Sequence, residues 1–448
     1  MKNTLKILSE LYREAQAEGK ECNAYYATRS TALTKQLAEA FQVVERDGSE
    51  RVGGAQDLIR KTYFFRPACY GESEIDVLLV DEAHRVQAKS NDQSDGTLRR
   101  GLGEEESVYC PLSQTLSLIY CAKVTVFFID DHQSVKNQEI GASSVIEDVA
   151  SNYQTEYNKQ IEAFRDEFEN RTKPRAERKI EQLNQEISEA TSEELKRISK
   201  ELKKAKRDLT QIKGLKHLTE KPLPKVNVFS HELTTQFRCL GADRFVKWVD
   251  YVLFEKNKKE VMKLDREDFD FQIIDTPQEL EQKIRELNNQ DSDPKQTARL
   301  VAGWCWDWTD KTDEKGDLKK EVQIGDWAMP WETKARPSEE YRNQYARNAD
   351  FWARDLQGIN QVGCIYSAQG FEFDYVGVIL GPDIRYDSKH DCLICLPSLN
   401  KERNLTNTGG ELLIRNIYRV LLTRGRKGCY MFSCDPKVSC YFRRFINE

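Results

Sequence analysis

IDVLLVDEAHR, residues 75–85, is the stretch on which the interpretation of the chain depends. Its apolar run, Val77 to Val80, stops abruptly at Asp81 and Glu82. An uninterrupted apolar run is typical of a central parallel strand that is buried on both faces. Open α/β sheets bind their ligands at the carboxyl ends of such strands. The pattern indicates a strand that delivers two carboxylates to a site, and a strand that merely ends in two solvated acids fits equally well.

A second stretch, KVTVFFIDDHQ at residues 123–133, repeats this pattern. It predicts another buried strand with polar groups at its carboxyl end. In a nucleotide hydrolase, Asp81 would hold Mg²⁺ and Glu82 would orient or deprotonate the attacking water. Gln133 could then reach a terminal phosphate, but it is also compatible with a turn.

Length and composition indicate a globular protein of two or three domains. The 448 residues are 39% apolar and 32% charged, and the net charge of −6 means that any nucleic-acid binding must be local. Twelve scattered cysteines and an unremarkable amino terminus predict a cytoplasmic protein with free thiols. No apolar run is long enough for a transmembrane helix. HDCLIC, residues 390–395, lacks a second ligand pair nearby, so ordinary thiols are favoured over a metal site.

The first part of the chain alternates between strand and helix patterns. The spacing predicts a helix at 4–17 that stops near Gly19, a strand from 22 that breaks at a polar loop, 28–30, helices at 31–41 and 55–62, and then the strand at Val77. This β-α-β-α order is typical of a parallel sheet covered by helices. Residues 87–106 are polar and contain glycine, which predicts a mobile loop in which Arg99 and Arg100 could touch phosphates or simply be solvated.

Residues 151–213 are rich in charged side chains and contain no glycine before Gly214. Apolar residues at three/four spacing change phase near Thr191 and Glu194, which fit a capping box. We expect two helices that fold back as an antiparallel hairpin. The hairpin could guide nucleic acid or bind a protein partner, and a stabilising arm is equally compatible.

Strand and helix patterns return from Val226 onward. A helix at 245–254, a strand at 269–274, a helix at 277–289 and a strand after Gly370 are predicted. The tryptophan-rich run that starts at 298 could stack bases, although core packing is the more frequent use. Near the end, Arg424 and Arg426 lie in a glycine-flanked turn, which suits a guanidinium that projects toward phosphate.

The order of these segments resembles the motif series of superfamily 1 nucleic-acid helicases. More closely, the chain is similar to the bacterial schlafen-like (schlafen group 3-like) helicase-domain family, from about Leu5 to Asp435 apart from the helical insertion. The segments that carry the resemblance are TRS (28–30), VDEAH (80–84), FFIDDHQ (127–133), QFRC (236–239), SAQGFEFDYV (367–376) and YRVLLTRGRKG (418–428).

The resemblance implies a role for each matching residue. Asp81 would bind Mg²⁺ and Glu82 the hydrolytic water, and Gln133 would sense the γ-phosphate of ATP. Arg238 and Arg424 would be arginine fingers. Gln369, Gly370 and Glu372 would couple the nucleotide to the nucleic-acid track, with Glu372 near the ribose, and Thr28 and Arg29 would touch the nucleic-acid backbone.

One part of the family pattern is missing from the printed sequence. No G-x-x-x-x-G-K-[S/T] phosphate loop occurs, and Gly19-Lys20 is followed by Glu21. That loop supplies the backbone cradle for the β- and γ-phosphates. Truncation and degeneration would each explain this, and the otherwise retained set of site residues favours truncation. We therefore expect the chain as printed to be inactive.

The resemblance implies an α/β fold with two RecA-like parallel-sheet lobes and an inserted antiparallel helical hairpin. The expected domains are 1–150, 151–222 and 223–448. The expected function is that of an ATP-dependent helicase or translocase acting on single-stranded DNA or RNA, with ATP and Mg²⁺ as cofactors and no membrane partner. The alternative is a non-hydrolysing nucleic-acid-binding or scaffold module.

Overall fold

The computed structural model describes residues 2–30, 32, 34–35, 58–67, 69–87, 112–133, 141–187, 191–210, 222–232, 242–255, 261–265, 267, 269–288, 297–402 and 409–447. By compactness the chain divides into two units. The first comprises Met1–Arg29, Arg51–Asp130 and Gln138–Ser230, and the second comprises Ser30–Glu50, Asp131–Asn137 and His231–Glu448. The helical segment at 151–213 thus belongs to the first unit, and two short early stretches belong to the second.

The first unit is built on a four-stranded parallel sheet in the order β2-β1-β3-β4. Its strands are β1 Ala24–Thr28, β2 Ile59–Lys61, β3 Ile75–Asp81 and β4 Ala122–Phe127. Leu78, Leu79 and Val80 of the interior strand β3 are buried, as their apolar run predicted. Parallel strands end at one edge, and Thr28 is accordingly the register partner of Asp81.

The prediction of a helix at 55–62 is wrong from residue 59 onward. Ile59–Lys61 is strand β2, paired in parallel with β1, and a 3₁₀ turn, Thr62–Phe64, follows it. The apolar spacing imitates a helix, but pairing with β1 buries Ile59 and outweighs the local preference. Residues 55–57 lie outside the described residues, as does the helix expected at 31–41 except for 32, 34 and 35, which are helical.

The helices of the first unit are α1 Lys2–Ala17, α2 Gln114–Cys121, α3 Ser143–Ser151, α4 Tyr153–Glu167, α5 Lys173–Glu186 and α6 Ser192–Thr210. Helix α1 is followed by Gly19, whose φ of 64° is the left-handed conformation that favours glycine after a helix. The predicted stop of this helix is therefore confirmed.

The predicted hairpin is formed by α5 and α6, and a π-helical turn, Phe168–Thr172, joins α4 to α5. Lys179 pairs with Glu201 at 3.2 Å and Arg197 with Glu186 at 3.7 Å, so the two helices run antiparallel. At the start of α6, the backbone N–H of Thr191 donates to Glu194 Oε2 at 2.9 Å, as the capping-box pattern predicted.

The second unit contains a four-stranded parallel sheet in the order β5-β12-β9-β6. In chain order its strands are β5 Asp270–Ile273, β6 Ala298–Ala302, β7 Val322–Ile324, β8 Trp327–Met329, β9 Phe373–Leu380, β10 Ile384–Asp387, β11 Cys392–Cys395 and β12 Gly425–Ser433. The pairs β7-β8 and β10-β11 form separate antiparallel hairpins.

The helices of the second unit are α7 Ala242–Phe254, α8 Pro277–Asn288, α9 Glu339–Arg342, α10 Ile365–Ala368, α11 Gly410–Leu422 and α12 Pro436–Arg443. Two parallel-sheet α/β units therefore confirm the predicted fold class. No helix in the described ranges is both long enough and apolar enough to span a bilayer.

The tryptophan-rich run mostly builds the core of the second unit. Trp331 and Trp352 are fully buried, and Trp304 stacks on Trp331 with ring centroids 5.5 Å apart. Trp308 is 36% exposed, and its Nε1 donates to the carbonyl of Glu332 at 2.9 Å. Core packing, the use that the sequence favours, accounts for the buried rings.

The HDCLIC segment contains the hairpin strand β11. The thiols of Cys392 and Cys395 are free, and His390 Nδ1 lies 2.6 Å from Asp387 Oδ2. Among the residues that the structure describes, no group of three or more His, Cys, Asp and Glu side chains could hold a metal ion.

Candidate active site

The first of the two acids is held at the carboxyl edge of the first sheet by an adjacent strand. Asp81 is the last residue of β3, and the hydroxyl of the fully buried Tyr26, on β1, donates a hydrogen bond to Asp81 Oδ2. The backbones of β1 and β3 are themselves paired. The carboxylate of Asp81 therefore has a fixed orientation before any ligand binds.

The environment of Asp81 suits a cation. Burial raises the pKa of Asp81 above its ordinary value, the negative charge of Glu82 adds to this, and the Tyr26 hydrogen bond opposes it. A bound divalent cation would offset the first two effects. Mg²⁺ prefers one or two carboxylates together with phosphate oxygens and water. Asp81 and Glu82 could supply the carboxylates of this set.

Glu82 has an uncommon backbone conformation. Its φ of 54° and ψ of 42° are left-handed, which costs on the order of 1 kcal/mol or more for a residue with a side chain. Its Oε2 lies 3.2 Å from Nε2 of the buried His84. The next N–H, from Ala83, donates to the carbonyl of Phe128 at 2.9 Å and ties this turn to the chain after β4. Strain of this kind persists where surrounding contacts enforce it, often at functional sites.

Gly141 is one of those surrounding contacts, and no sequence pattern pointed to it. A methyl group built on Gly141 would lie 1.8 Å from the carbonyl oxygen of Ala83 and 2.8 Å from Cα of His84. Only a residue without a side chain fits so close to this backbone. Gly141 therefore packs directly behind the turn that carries Glu82.

Thr28 and Arg29 lie at the same edge of the sheet. Thr28 is fully buried, and Nη1 of Arg29 donates to Gln114 Oε1 at 3.4 Å. The backbone N–H of Gln87 donates to the same oxygen at 3.1 Å. Gln114, the buried first residue of α2, thus joins the segments that follow β1 and β3. This link was also missed by sequence reasoning.

Helix α1 packs against β1. The hydroxyl of Tyr12 donates to the carbonyl of Ala24 at 2.9 Å, at the amino end of β1. The ten or so helical residues before Tyr12 span about 15 Å, close to the length of a five-residue strand. If α1 runs antiparallel to β1, as helices beside parallel strands usually do, its amino end reaches the edge that carries Thr28, and the amino end of a helix favours an anion.

The second unit contains the other predicted residues that the structure describes. Gln369 is fully buried, and its Nε2 donates to the carbonyl of Gln133 at 3.0 Å. Gly370 has a φ of 87°, a conformation that requires glycine, and Glu372 is exposed just before β9. The structure thus brings Gln369 and Gln133 together in one unit. The sequence had grouped Gln133 with Asp81 in the first 150 residues.

The guanidinium of Arg424 is buried in the second unit. Its Nε donates to the carbonyl of Val420 at 2.9 Å and its Nη1 to the carbonyl of Phe371 at 3.5 Å. Arg426 instead donates to Oδ1 of the buried Asp374 at 2.8 Å. The role of Arg424 as an arginine finger stays a prediction, and Arg238, Arg99 and Arg100 lie outside the described residues.

Two known proteins illustrate what the chain resembles. The uncharacterized protein YPL245W of Saccharomyces cerevisiae is 26% identical over 229 residues, which cover 46% of this chain and 46% of that protein. A solved structure of S. cerevisiae Dbp5 bound to Gle1 and IP6 aligns with 94% of this chain and 72% of its own, at 10% identity and a TM-score of 0.24. The fold assignment rests on the two parallel sheets and not on that structural likeness.

The comparison with protein families covers far more of the chain. The family model described as "Schlafen group 3, DNA/RNA helicase domain" matches residues 4–435. All of the motif residues named above lie within this match. The chain therefore belongs to the schlafen group 3 DNA/RNA helicase domain family.

Proposed function

We propose that this chain is the motor region of an ATP-dependent DNA or RNA helicase or translocase. The observation that carries the proposal is the edge of the first sheet, where Tyr26 orients the Asp81 carboxylate and a strained turn places Glu82 beside it. We further propose that the amino end of α1 lies near these acids, because Tyr12, in the second half of that helix, bonds to the amino end of β1. A cation site, a second carboxylate and an anion-binding helix end are the parts that phosphoryl transfer needs.

Each residue has a defined task in this proposal. Asp81 would hold Mg²⁺, which supplies charge neutralisation for the phosphates, and Glu82 would orient the attacking water or accept its proton. Gln133, Arg238 and Arg424 would stabilise the developing charge. We further propose that Gln369, Gly370 and Glu372 link the nucleotide to the nucleic-acid track, and that Thr28 and Arg29 contact the nucleic-acid backbone. The bound nucleic acid would be single-stranded, and the helical hairpin could recruit a protein partner.

We also propose that hydrolysis requires a phosphate loop on an additional strand, because no G-x-x-x-x-G-K-[S/T] string occurs in the printed sequence. Two features of the first unit support this. Among the described residues, the outer edge of β4 has no partner strand, and Val124 and Val126 are 51% and 36% exposed. Residues 222–232 are also without a partner strand there, and Phe229 is 92% exposed. Unpaired apolar edges of this kind accept strands.

A strand added to β4 in parallel would end at the edge that carries Asp81. A loop after that strand would face the acids and the amino terminus of α1, because parallel strands of one sheet end together. The chain as printed would then bind nucleic acid without turning over ATP.

ATP hydrolysis with and without single-stranded DNA tests the proposal. The printed chain should show no turnover, whereas the chain extended at its amino terminus by a strand and a phosphate loop should hydrolyse ATP and respond to DNA. In the extended protein, Glu82→Gln should keep nucleotide binding and lower turnover by roughly 10²- to 10⁴-fold. Turnover that survives in Glu82→Gln would remove Glu82 from its task.

The second candidate is a non-hydrolysing nucleic-acid-binding or scaffold module. It is favoured by the missing phosphate-loop string and by the solvated hairpin of α5 and α6. Binding of single-stranded DNA together with no turnover in either the printed or the extended protein would establish this candidate and exclude the motor.

A further inference from the structure

Glu332 is a buried acid in the second unit that no motif includes. It follows β8, and only 4% of its surface is exposed. No lysine, arginine or histidine in the described part of the chain forms an ion pair with it, and its Oε2 is buried there without a hydrogen-bond partner. A buried carboxyl without a cation is costly, so its presence calls for an explanation.

The other carboxyl oxygen of Glu332 is hydrogen-bonded. The thiol of Cys364 donates to Glu332 Oε1 at 2.9 Å, and the backbone N–H of Glu332 donates to the carbonyl of Val362 at 2.9 Å. Both backbone and side chain of Glu332 therefore hold the segment that immediately precedes α10.

Cys364 also forms the cap of α10. The hydroxyl of Ser367 accepts from the backbone N–H of Cys364 at 2.9 Å and donates to the Cys364 carbonyl at 3.1 Å. These bonds close the first turn of a helix that is only four residues long. A helix so short gains little stability from its own hydrogen bonds, so its position depends on such contacts.

Helix α10 leads directly to Gln369. The backbone N–H of Gln369 donates to the carbonyl of Ile365 at 2.9 Å, and its side chain donates to the carbonyl of Gln133 at 3.0 Å. A continuous set of contacts within the second unit thus runs from Glu332 through Cys364 and α10 to Gln369 and Gln133.

We propose that Glu332 is a positioning residue. In its neutral form it fixes the start of α10 through Cys364, and thereby places Gln369 against Gln133. When Glu332 ionises, this arrangement loosens. The structural part of the inference stands on the contacts alone, and only its consequence for activity rests on the proposed function.

Glu332 changes its protonation state near neutral pH. Burial raises the pKa of Glu332 to about 7, against the lowering effect of the bond from Cys364. The titratable group that faces it is the Cys364 thiol, whose pKa is raised well above its ordinary value by burial and then by the charge of Glu332. The thiol therefore stays neutral while Glu332 changes charge.

Hydrogen exchange of the full chain, without nucleotide or nucleic acid, tests the structural part. After correction for the pH dependence of chemical exchange, amides 364–370 should be about tenfold less protected above the pKa than below it, as expected for a local opening that ionisation favours. Glu332→Gln, which stays neutral, should abolish this pH dependence. Protection that is independent of pH in the unsubstituted chain would overturn the proposal.

Glu321→Gln is the matched control. Glu321 is a partly buried acid whose pKa is also raised by burial, but its Oε2 accepts from the backbone N–H of Trp331 and not from α10. This variant should keep the pH dependence of amides 364–370. If Glu332→Gln fails to fold, Cys364→Ala serves instead, and it should lower protection at low pH to the high-pH level; unchanged protection would overturn the proposal.

A pH profile of DNA binding distinguishes failure of the inference about Glu332 from failure of the proposed function. If single-stranded DNA affinity is detectable, it should fall as the pH rises through about 7 in the unsubstituted chain and stay level in Glu332→Gln. Undetectable DNA binding would count against the proposed function and would leave the exchange result standing. Normal DNA binding with identical pH profiles in both proteins would overturn the coupling of Glu332 to the site.

Discussion

Gly141 lies directly against Ala83, with no space for a methyl group between Gly141 and the Ala83 carbonyl oxygen. Gly141→Ala should therefore displace the turn that carries Glu82 and lower the free energy of unfolding of the first unit by about 1–3 kcal/mol. Urea unfolding measures the loss. Gly19→Ala is the control, because Gly19 has a φ of 64° but nothing within 4 Å of the added methyl group.

The control should lose only about 1 kcal/mol, from the left-handed backbone alone. It should also leave nucleotide-dependent turnover of the extended protein unchanged, whereas Gly141→Ala should reduce it. Equal losses in the two variants would show that the contact with Ala83 relaxes freely.

Removal of the Tyr26 hydroxyl should change how stability depends on pH. The pKa of Asp81 is raised in the native state, so the contribution of Asp81 to stability is present at low pH and is lost as the pH rises through that pKa. Because the Tyr26 bond opposes this rise, Tyr26→Phe should raise the pKa further and extend the loss to higher pH. The cost at neutral pH should be about 1–3 kcal/mol.

Tyr12→Phe is the matched control for Tyr26→Phe. Tyr12 donates to a backbone carbonyl, that of Ala24, and not to an acid of the site. Urea unfolding over a series of pH values should give a parallel shift for Tyr12→Phe and a steeper decline for Tyr26→Phe. The same pH dependence of stability in both variants would show that the Tyr26 hydroxyl does not influence the pKa of Asp81.

Arg29→Ala should weaken binding of single-stranded DNA. Loss of one phosphate contact should reduce the slope of log affinity against log salt by about 0.7. Arg13→Ala is the control, because Arg13 lies on α1, is largely exposed and pairs with Glu10. Binding titrations at several salt concentrations measure both slopes. An equal change in the two variants would indicate a general effect of charge and no contact at Arg29.

Arg424→Lys should destabilise the second unit even before nucleotide is added. Lysine cannot reproduce the two bonds that the buried guanidinium makes to the carbonyls of Val420 and Phe371, and the expected cost is about 1–3 kcal/mol. Arg426→Lys should cost less, because Arg426 is half exposed and Lys427 lies 3.6 Å from the same Asp374 oxygen. If Arg424→Lys is as stable as the unsubstituted chain, the guanidinium does not stabilise the second unit, and a role toward phosphate would be the only one left for it.

The central strands could be predicted because local pattern and burial agree there. β9 is buried along nearly its whole length and β3 at four of its seven positions, and both appear as apolar runs in the sequence. β2 could not be predicted, because a three-residue strand owes its conformation to pairing with β1 and carries no periodic signal of its own.

The site was only partly visible from the sequence. The order of motifs led to the family and to Asp81 and Glu82, whose positions follow from the strand that precedes them. Gln114 meets Arg29 from 85 residues away, and Gln369 meets Gln133 across 236 residues. Side chains that act through such distant contacts carry no local pattern. Gly141 and Glu332 were missed for the same reason.

The interleaving of the two units limits how the protein can be dissected. A fragment that begins at His231 would contain the second sheet but neither Lys35, which pairs with Asp350, nor the carbonyl of Gln133 that accepts from the buried Gln369. Such a fragment would lose both contacts. Cloning from residue 223, the boundary that the sequence suggests, would likewise remove parts of the second unit, and the two units are better separated by point substitution than by cutting the chain.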